Sequence, residues 1–220
     1  MNYPILWFVK VTGLPLQFFY YRKKIYYENK SSQDRKIKGK ALIVSNHKSV
    51  YDYPLMMYTF FNRNIRVLIS EIMYSKNKLF SWFLNALGGI RVNRATYDFS
   101  FIDKSVNVLK REKALLIYPE SRIPLEEEAH LDLIEFKPSY VYIALESDAP
   151  IIPIYTNGKY GKDKKKDRTR LIIGEKIMIR ELYDETKSEK ENVDFINNFV
   201  KNRILELKNN LEEQVRSENG

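Results

Sequence analysis

Short apolar segments of strand type alternate with helix-like segments along most of the chain, and this alternation restricts the fold more than any other feature. The two most apolar segments read ALIV at residues 41–44 and ALLI at residues 114–117. Continuous runs of that kind are typical of strands buried on both faces of a parallel sheet. The predicted strands cover residues 41–46, 65–70, 88–94, 114–120, 149–156 and 168–179. We therefore predict an α/β fold in which helices flank a mostly parallel central sheet.

The segments between the predicted strands carry apolar residues at helical spacing. One predicted helix places four of them on a single face: Phe99, Ile102, Val106 and Leu109. A long amphipathic helix is predicted near the C-terminus, where six apolar residues recur at steps of three and four: Val193, Ile196, Val200, Ile204, Leu207 and Leu211. A chain of 220 residues is long enough for one domain with an appendage. We predict a single domain over residues 31–220 that ends in this helix.

An aromatic-rich apolar segment occupies residues 3–21, and a basic triplet follows it. Lys10, Gly13 and Pro15 interrupt the segment, so it departs from the run of about 20 apolar residues that a membrane-spanning helix needs. No small-residue cleavage site follows it, which argues against a cleaved signal peptide. We predict that residues 1–30 are a peripheral or monotopic anchor on the cytoplasmic face of the cell membrane. A helix packed on the domain core is the alternative.

The overall charge of the chain points to an anionic partner. The formal net charge is +9, which favours nucleic acid, an anionic lipid surface or phosphorylated substrates. The basic residues are scattered and no RRM, KH or zinc-finger signature is present, so we expect no nucleic-acid partner. The absence of cysteine excludes a thiolate nucleophile and cysteine-based metal sites. His130 lies in an acidic stretch without a second histidine at helical spacing, so no metal site is predicted.

One of the two histidines, His47, stands where the first predicted strand ends, and Asp52 follows five residues later. A carboxylate bonded to one ring nitrogen would fix the tautomer and leave the other nitrogen to take a proton from a substrate hydroxyl. The same pair also fits a polar loop cap, and its spacing alone leaves both possibilities open. Arg94 and Glu120 end two other predicted strands, and ligands bind at the carboxyl ends of such strands.

Four segments in order resemble the motifs of the glycerolipid acyltransferase family, which is typified by 1-acylglycerol-3-phosphate acyltransferases. NHKSVYD at 46–52 resembles the block N-H-x4-D, and GGIRVNR at 88–94 resembles G-x-x-F-[IV]-[DN]-R. YPESR at 118–122 is similar to F-P-E-G-T-R, and APIIPIY at 149–155 is similar to V-P-[IV]-[IV]-P-V. Four partial matches in the family's own order are a far more specific signal than any one of them.

The resemblance implies a fold of the glycerol-3-phosphate acyltransferase type and an O-acyltransferase of phospholipid synthesis. His47 would be the general base on the hydroxyl of a lysophospholipid, most simply 1-acylglycerol-3-phosphate, and Asp52 would orient it. The donor would be acyl-CoA or acyl-carrier protein, and no cofactor is implied. The residues that would bind the substrate are Asn93, Arg94, Glu120 and Arg122.

The sequence also departs from the family pattern at several positions. Arg91 occupies the usual aromatic position of the second block, and Asn93 stands where an acidic residue is common. Ser121 replaces the glycine of the third block, and Arg122 comes one place early. These departures keep open an acceptor without phosphate, such as a lyso-aminolipid or a glycolipid. A basic lipid-binding module without catalysis is a further alternative.

Overall fold

The computed structural model describes residues 1–29, 37–93, 98–160 and 168–219. In chain order the strands are β1 (Lys24–Tyr27), β2 (Ala41–Ser45), β3 (Ile65–Ser70), β4 (Gly89–Val92), β5 (Ala114–Ile117), β6 (Ile151–Thr156) and β7 (Arg170–Ile173). The helices are α1 (Tyr3–Thr12), α2 (Leu14–Tyr20), α3 (Asp52–Thr59), α4 (Glu71–Tyr74), α5 (Lys78–Leu87), α6 (Ser100–Lys110), α7 (Ser139–Ser147) and α8 (Glu189–Asn219).

The strands form one sheet in the order β1-β7-β6-β2-β5-β3-β4. Neighbouring strands are parallel except for the β6–β7 pair, which is antiparallel. The predicted α/β fold with a mostly parallel sheet is therefore confirmed. The central strands β2 and β5 are buried along their whole length, as their continuous apolar sequences predict. Because β2 lies between β5 and β6, the loops that follow these three strands meet at one edge of the sheet.

Two hydrophobic cores cover the two faces of the sheet. Leu42 and Val44 pack on one face with apolar residues of α6, α7 and α8, whereas Ala41 and Ile43 pack on the other with residues of α3. This alternation follows from the period of two along a strand. The six apolar residues of the predicted C-terminal helix are all at most 3% exposed in α8, which confirms that helix.

Three details of the sequence interpretation change. Residues 24–27, within the segment predicted as a membrane anchor, form β1 and pair with β7. The last predicted strand, 168–179, is shortened to Arg170–Ile173, and Ile177 makes only an isolated bridge to β6. Phe99 lies before the first turn of α6 and is 63% exposed, because the helix begins one residue later than the apolar spacing predicts.

The N-terminal helices are fixed to the domain by a buried lysine. The Lys10 side chain of α1 is fully buried, and its Nζ donates to the carbonyl oxygens of Phe61 at 2.8 Å and Arg63 at 2.7 Å. The Asn64 Oδ1 lies 3.3 Å from the same ammonium group. Burial lowers the pKa of Lys10 to about 8. Over the described ranges, no helix combines the length and apolar character required to cross a membrane.

Candidate active site

The loop after β2 brings His47 and Asp52 together. His47 is the second residue beyond the strand, and Asp52 is the first residue of α3. The His47 Nδ1 lies 2.8 Å from Asp52 Oδ2. A carboxylate only accepts hydrogen bonds, so Nδ1 carries the proton and Nε2 of the neutral ring is an acceptor. The pair therefore has the geometry that a general base needs, and the His47 side chain is 20% exposed to solvent.

Asp52 has no exposed surface and is held by four donors. Its Oδ2 accepts the His47 ring N–H and the backbone N–H groups of Lys48 and Ser49, each at 2.8 Å. Its Oδ1 accepts the hydroxyl of Tyr160. Burial raises the pKa of Tyr160, and the charge of Asp52 raises it further, so this hydroxyl keeps its proton and donates. These donors compensate the burial of the charge and fix the direction of the carboxylate.

Two aromatic rings flank the dyad. Tyr118 stacks on the His47 imidazole with ring centroids 4.3 Å apart and an interplanar angle of 14°. Burial raises the pKa of Tyr118 well above its ordinary value, so the ring stays neutral. Tyr160 packs edge-on against Tyr21 at the end of α2, with centroids 5.6 Å apart. The imidazole is thus restrained by a stacked ring as well as by Asp52, and the N-terminal helices reach the tyrosine that supports Asp52.

The ends of β2 and β6 are joined beneath the dyad. The buried Asn46 side chain donates to the carbonyl oxygen of Thr156 at 2.9 Å and accepts the Thr156 N–H at 2.8 Å. In the loop that follows, Gly158 has φ +65°, and a Cβ there would lie 2.3 Å from the Lys48 Cβ. Glycine is required by both the backbone angle and the close approach of the two loops. These contacts place Tyr160 next to the loop of His47.

Glu120 lies beyond β5, which neighbours β2, and is 2% exposed. Neither of its carboxyl oxygens has a hydrogen-bond partner among the described residues. Burial raises the pKa of Glu120 to about 7, and the nearby Lys48 charge and His47 N–H offset part of this rise. A buried carboxyl group without a partner, next to a histidine–aspartate dyad, is a candidate ligand for a substrate group.

The other predicted substrate-binding residues are less close to this centre. Arg122 forms two hydrogen bonds to Glu128, at 2.5 and 2.6 Å, and its side chain is 46% exposed. Asn93 follows β4, which is three strands from β2, so the two strands are roughly 14 Å apart at a spacing of about 4.8 Å per strand. Arg94 lies outside the described residues. The structure therefore brings together His47, Asp52 and Glu120.

Sequence reasoning missed Tyr118 and Tyr160. Tyr160 belongs to a basic stretch with two glycines, residues 157–170, whose composition is typical of an exposed loop, although the Tyr160 hydroxyl donates to Asp52 of the dyad. The available signal was its position directly beyond β6, a neighbour of β2. Tyr118 stands at the aromatic position of the third block, and the stack on His47 explains the need for a ring there.

Two comparisons with known proteins place this geometry in context. A family model described as Acyltransferase matches residues 24–157, more than half of the chain. The chain is also similar in fold to the crystal structure of the 1-acyl-sn-glycerophosphate (LPA) acyltransferase PlsC from Thermotoga maritima, with a TM-score of 0.60 and 19% sequence identity. That match covers 92% of this chain and 79% of the other. The family model confirms the predicted resemblance to an acyltransferase family, and the structural similarity confirms the predicted fold.

Proposed function

Because this chain belongs to the acyltransferase family, we propose that it moves a fatty acyl chain from acyl-CoA or acyl-carrier protein to the hydroxyl of a lysophospholipid. The acceptor that fits best is 1-acylglycerol-3-phosphate, as in the structurally similar enzyme. The observation that carries the proposal is the His47–Asp52 pair, with Nδ1 bonded to the carboxylate and Nε2 available as a base. The reaction would belong to phospholipid synthesis and would need no cofactor.

In the proposed reaction, Nε2 of His47 takes the proton of the acceptor hydroxyl while the oxygen attacks the thioester carbonyl carbon. Asp52 stabilises the imidazolium that forms, because its charge lies against the Nδ1–H. Collapse of the tetrahedral intermediate breaks the carbon–sulfur bond, and the thiolate takes the proton back from Nε2. The products are the ester and a free thiol, and His47 returns to its neutral state.

The acceptor would be positioned by the remaining polar groups at this edge of the sheet. Glu120, buried and without a hydrogen-bond partner in the described structure, would accept a hydroxyl of the glycerol. Arg94, Arg122 and Asn93 are proposed to hold the acceptor phosphate, since guanidinium groups bind phosphate bidentately. Arg122 would exchange its two hydrogen bonds with Glu128 for the phosphate.

The substrate is proposed to reach the site from a membrane surface on the cytoplasmic side. The helix α1 packs against both α2 and α5. Large apolar side chains are exposed on these three helices: Trp7, Phe8, Phe18, Phe19, Leu79 and Trp82. Val50 and Tyr51, in the loop between His47 and Asp52, are exposed as well. Exposed aromatic clusters of this kind suit the interface of a bilayer, and the positive net charge favours anionic lipids.

The proposal is tested with a purified protein, an acyl thioester and 1-acylglycerol-3-phosphate, by following free thiol and the mass of the product lipid. His47→Ala should lower the rate by at least about 10³-fold, since it removes the base. The matched control is His130→Ala, the same change at the exposed second histidine. A His47→Ala protein that releases thiol at the wild-type rate would refute the mechanism.

A second candidate is acyl transfer to an acceptor without phosphate, such as a lyso-aminolipid or glycolipid. It is favoured by Arg122, whose guanidinium group is already occupied on both sides by Glu128. The same assay with a lysoglycolipid in place of the lysophosphatidate separates the two candidates. Preference for the phosphate-free acceptor would keep the role of His47 and change that of Arg122.

A further inference from the structure

A basic cleft lies at the edge of the sheet opposite the dyad. It has a volume of about 490 Å³ and lies between α6, the C-terminal end of α5 and the first residues of β3 and β4. His47 and Glu120 follow the carboxyl ends of their strands, whereas Arg66 is the second residue of β3 and Gly89 is the first residue of β4. The strands involved are parallel, so the cleft and the candidate active site are at opposite ends of the sheet.

The charge of the cleft comes from separate elements that the fold brings together. One face of α6 contributes Lys104, Asn107 and Val108, and Arg111, the residue directly after the helix, lies on the same side because it is three residues from Val108 and four from Asn107. The strand side contributes Arg66, Arg91 and Lys113. Of the described residues that line it, none is an aspartate or a glutamate. A volume of this size is too large for a single ion and suits a small organic ligand.

Most of these cations have no carboxylate partner in the described structure. Arg91 is paired with Glu71, which lies outside the cleft lining. Lys104 donates to the Ser100 hydroxyl, and Lys113 donates to the Tyr3 hydroxyl at 3.0 Å. These partners are neutral hydroxyl groups, so neither lysine forms an ion pair with a carboxylate in the described structure.

Two details distinguish the cleft from an ordinary solvated charged surface. The Nε of Arg66 is buried and has no hydrogen-bond partner among the described residues, although buried donors are nearly always paired. The hydrogen bond from Lys113 lowers the pKa of the Tyr3 phenol, and the charge of Arg66 lowers it further. The unpaired donor and the raised positive potential both favour an anion with several oxygen acceptors.

We propose that this cleft binds a phosphate-bearing anion at a site separate from the acyl-transfer centre. Planar guanidinium groups bind phosphate oxygens bidentately, and lysines add charge without fixed geometry. A phospholipid headgroup and a soluble phosphorylated compound present the same chemistry. Because α1 and α5 border the cleft through Tyr3 and Asn85, a headgroup would reach it from the exposed aromatic surface of these helices.

The test compares two double variants of the full chain that lose the same charge. Lys104→Gln/Arg111→Gln removes two cations of the cleft, one on α6 and one directly after it, and both side chains are exposed, so folding should tolerate the change. Lys110→Gln/Lys190→Gln removes two exposed lysines outside it. Binding of inorganic pyrophosphate is measured by calorimetry, and binding to phosphatidylglycerol or phosphatidylcholine vesicles is measured by sedimentation.

The cleft variant should bind at least one anionic probe tenfold more weakly than the wild type, while the control variant changes less than twofold. Loss of pyrophosphate binding would identify a soluble phosphorylated ligand. Loss confined to phosphatidylglycerol vesicles, with phosphatidylcholine binding unchanged, would identify a lipid headgroup. Equal losses in both variants, or no binding of either anionic probe by the wild type, would overturn the proposal.

Discussion

Two buried carboxyl groups, those of Asp52 and Glu120, lie at the same edge of the sheet and differ in the hydrogen bonds that they accept. Asp52 accepts four hydrogen bonds, including one from the His47 ring, and has no exposed surface. Glu120 is 2% exposed, and neither of its oxygens meets the geometry of a hydrogen bond in the described structure, although the His47 backbone N–H lies close enough to influence its pKa. The first group has four hydrogen-bond donors within the protein, whereas burial raises the pKa of the second to about 7.

In the proposed mechanism, Asp52 orients His47 within the protein, whereas Glu120 would be available to a substrate group. Four donors fix Asp52 in direction and charge, which suits a residue that orients and stabilises the imidazole. An unpaired carboxyl group costs the folded protein free energy, and such costs are concentrated at functional sites. A hydroxyl of the acceptor would supply the partner that Glu120 lacks.

Removal of the charge of Asp52 should have the largest effect. Asp52→Asn leaves a side chain of similar shape but cannot stabilise the imidazolium, so we expect kcat to fall by about 10³-fold or more. The measurement is thiol release at saturating substrate, with circular dichroism as the check on folding. If the kcat of Asp52→Asn lies within tenfold of the wild-type value, Asp52 does not have the larger role that is proposed for it relative to Glu120.

Removal of the charge of Glu120 should have a smaller effect on activity, about ten- to a hundredfold in kcat/KM, because the dyad remains intact.

The contribution of Glu120 to the stability of the fold should depend on pH. The folded protein holds the Glu120 proton up to about pH 7, whereas the unfolded chain releases it near its ordinary pKa of 4.5. The free energy of unfolding should therefore fall as the pH rises from about 5 to 7, on the order of 2 kcal/mol from this group.

Glu120→Gln should abolish this part of the pH dependence, which is measured by urea unfolding at several pH values. The free energy of unfolding of the variant should exceed that of the wild type above pH 7 and should be similar to it below pH 5. An unchanged slope between these values would mean that Glu120 is already paired in solution.

Loss of one donor to Asp52 should have a modest effect. Tyr160→Phe removes the hydroxyl bonded to Oδ1 and keeps the ring, so we expect kcat to fall about three- to tenfold with little change in KM. The low-field proton resonance of the His47 Nδ1–H should shift or broaden, which a purely structural change elsewhere would not cause. Tyr155→Phe, the same change in buried β6, is the matched control. If both variants behave alike, Tyr160 does not position the dyad.

The smallest effect is expected from a substitution of Ser121, the residue after Glu120, and it concerns the stability of the fold. Ser121 has φ +65°, a conformation that costs a residue with a Cβ about 1–2 kcal/mol. Ser121→Gly should stabilise the fold by only about 0.5 kcal/mol, because glycine loses more freedom on folding. Thermal unfolding measures this gain, and turnover should stay unchanged. The backbone angle explains why the family pattern has glycine at this position.

The fold was predictable wherever strands were buried on both faces. The continuous apolar residues of β2 and β5 predict central parallel strands without knowledge of their partners. β1 was missed because it has only four residues, Lys24–Tyr27, and its first residue is the last of the basic triplet. Its pairing with β7 depends on contacts more than 140 residues away in sequence, which no local pattern contains.

The placement of the candidate residues was predictable to the extent that the ends of neighbouring strands converge on one edge of the sheet. His47, Asp52 and Glu120 follow from the motif order, and the first two bond directly. The order of the strands in the sheet determines which other residues lie near His47. Asn93 follows β4, three strand positions from β2, whereas Tyr160 follows β6, which is next to β2. Sequence spacing indicates which residues end a strand but not which strands are adjacent.

The burial of Lys10 makes one amine of this lysine-rich chain chemically distinct. Its ammonium group is enclosed and bonded to the carbonyl oxygens of Phe61 and Arg63, so acylating reagents cannot reach it while α1 stays packed. Its labelling rate therefore reports the opening of the N-terminal helix, against the fast labelling of surface lysines. Labelling of Lys10 would therefore measure whether α1 detaches from the domain during turnover.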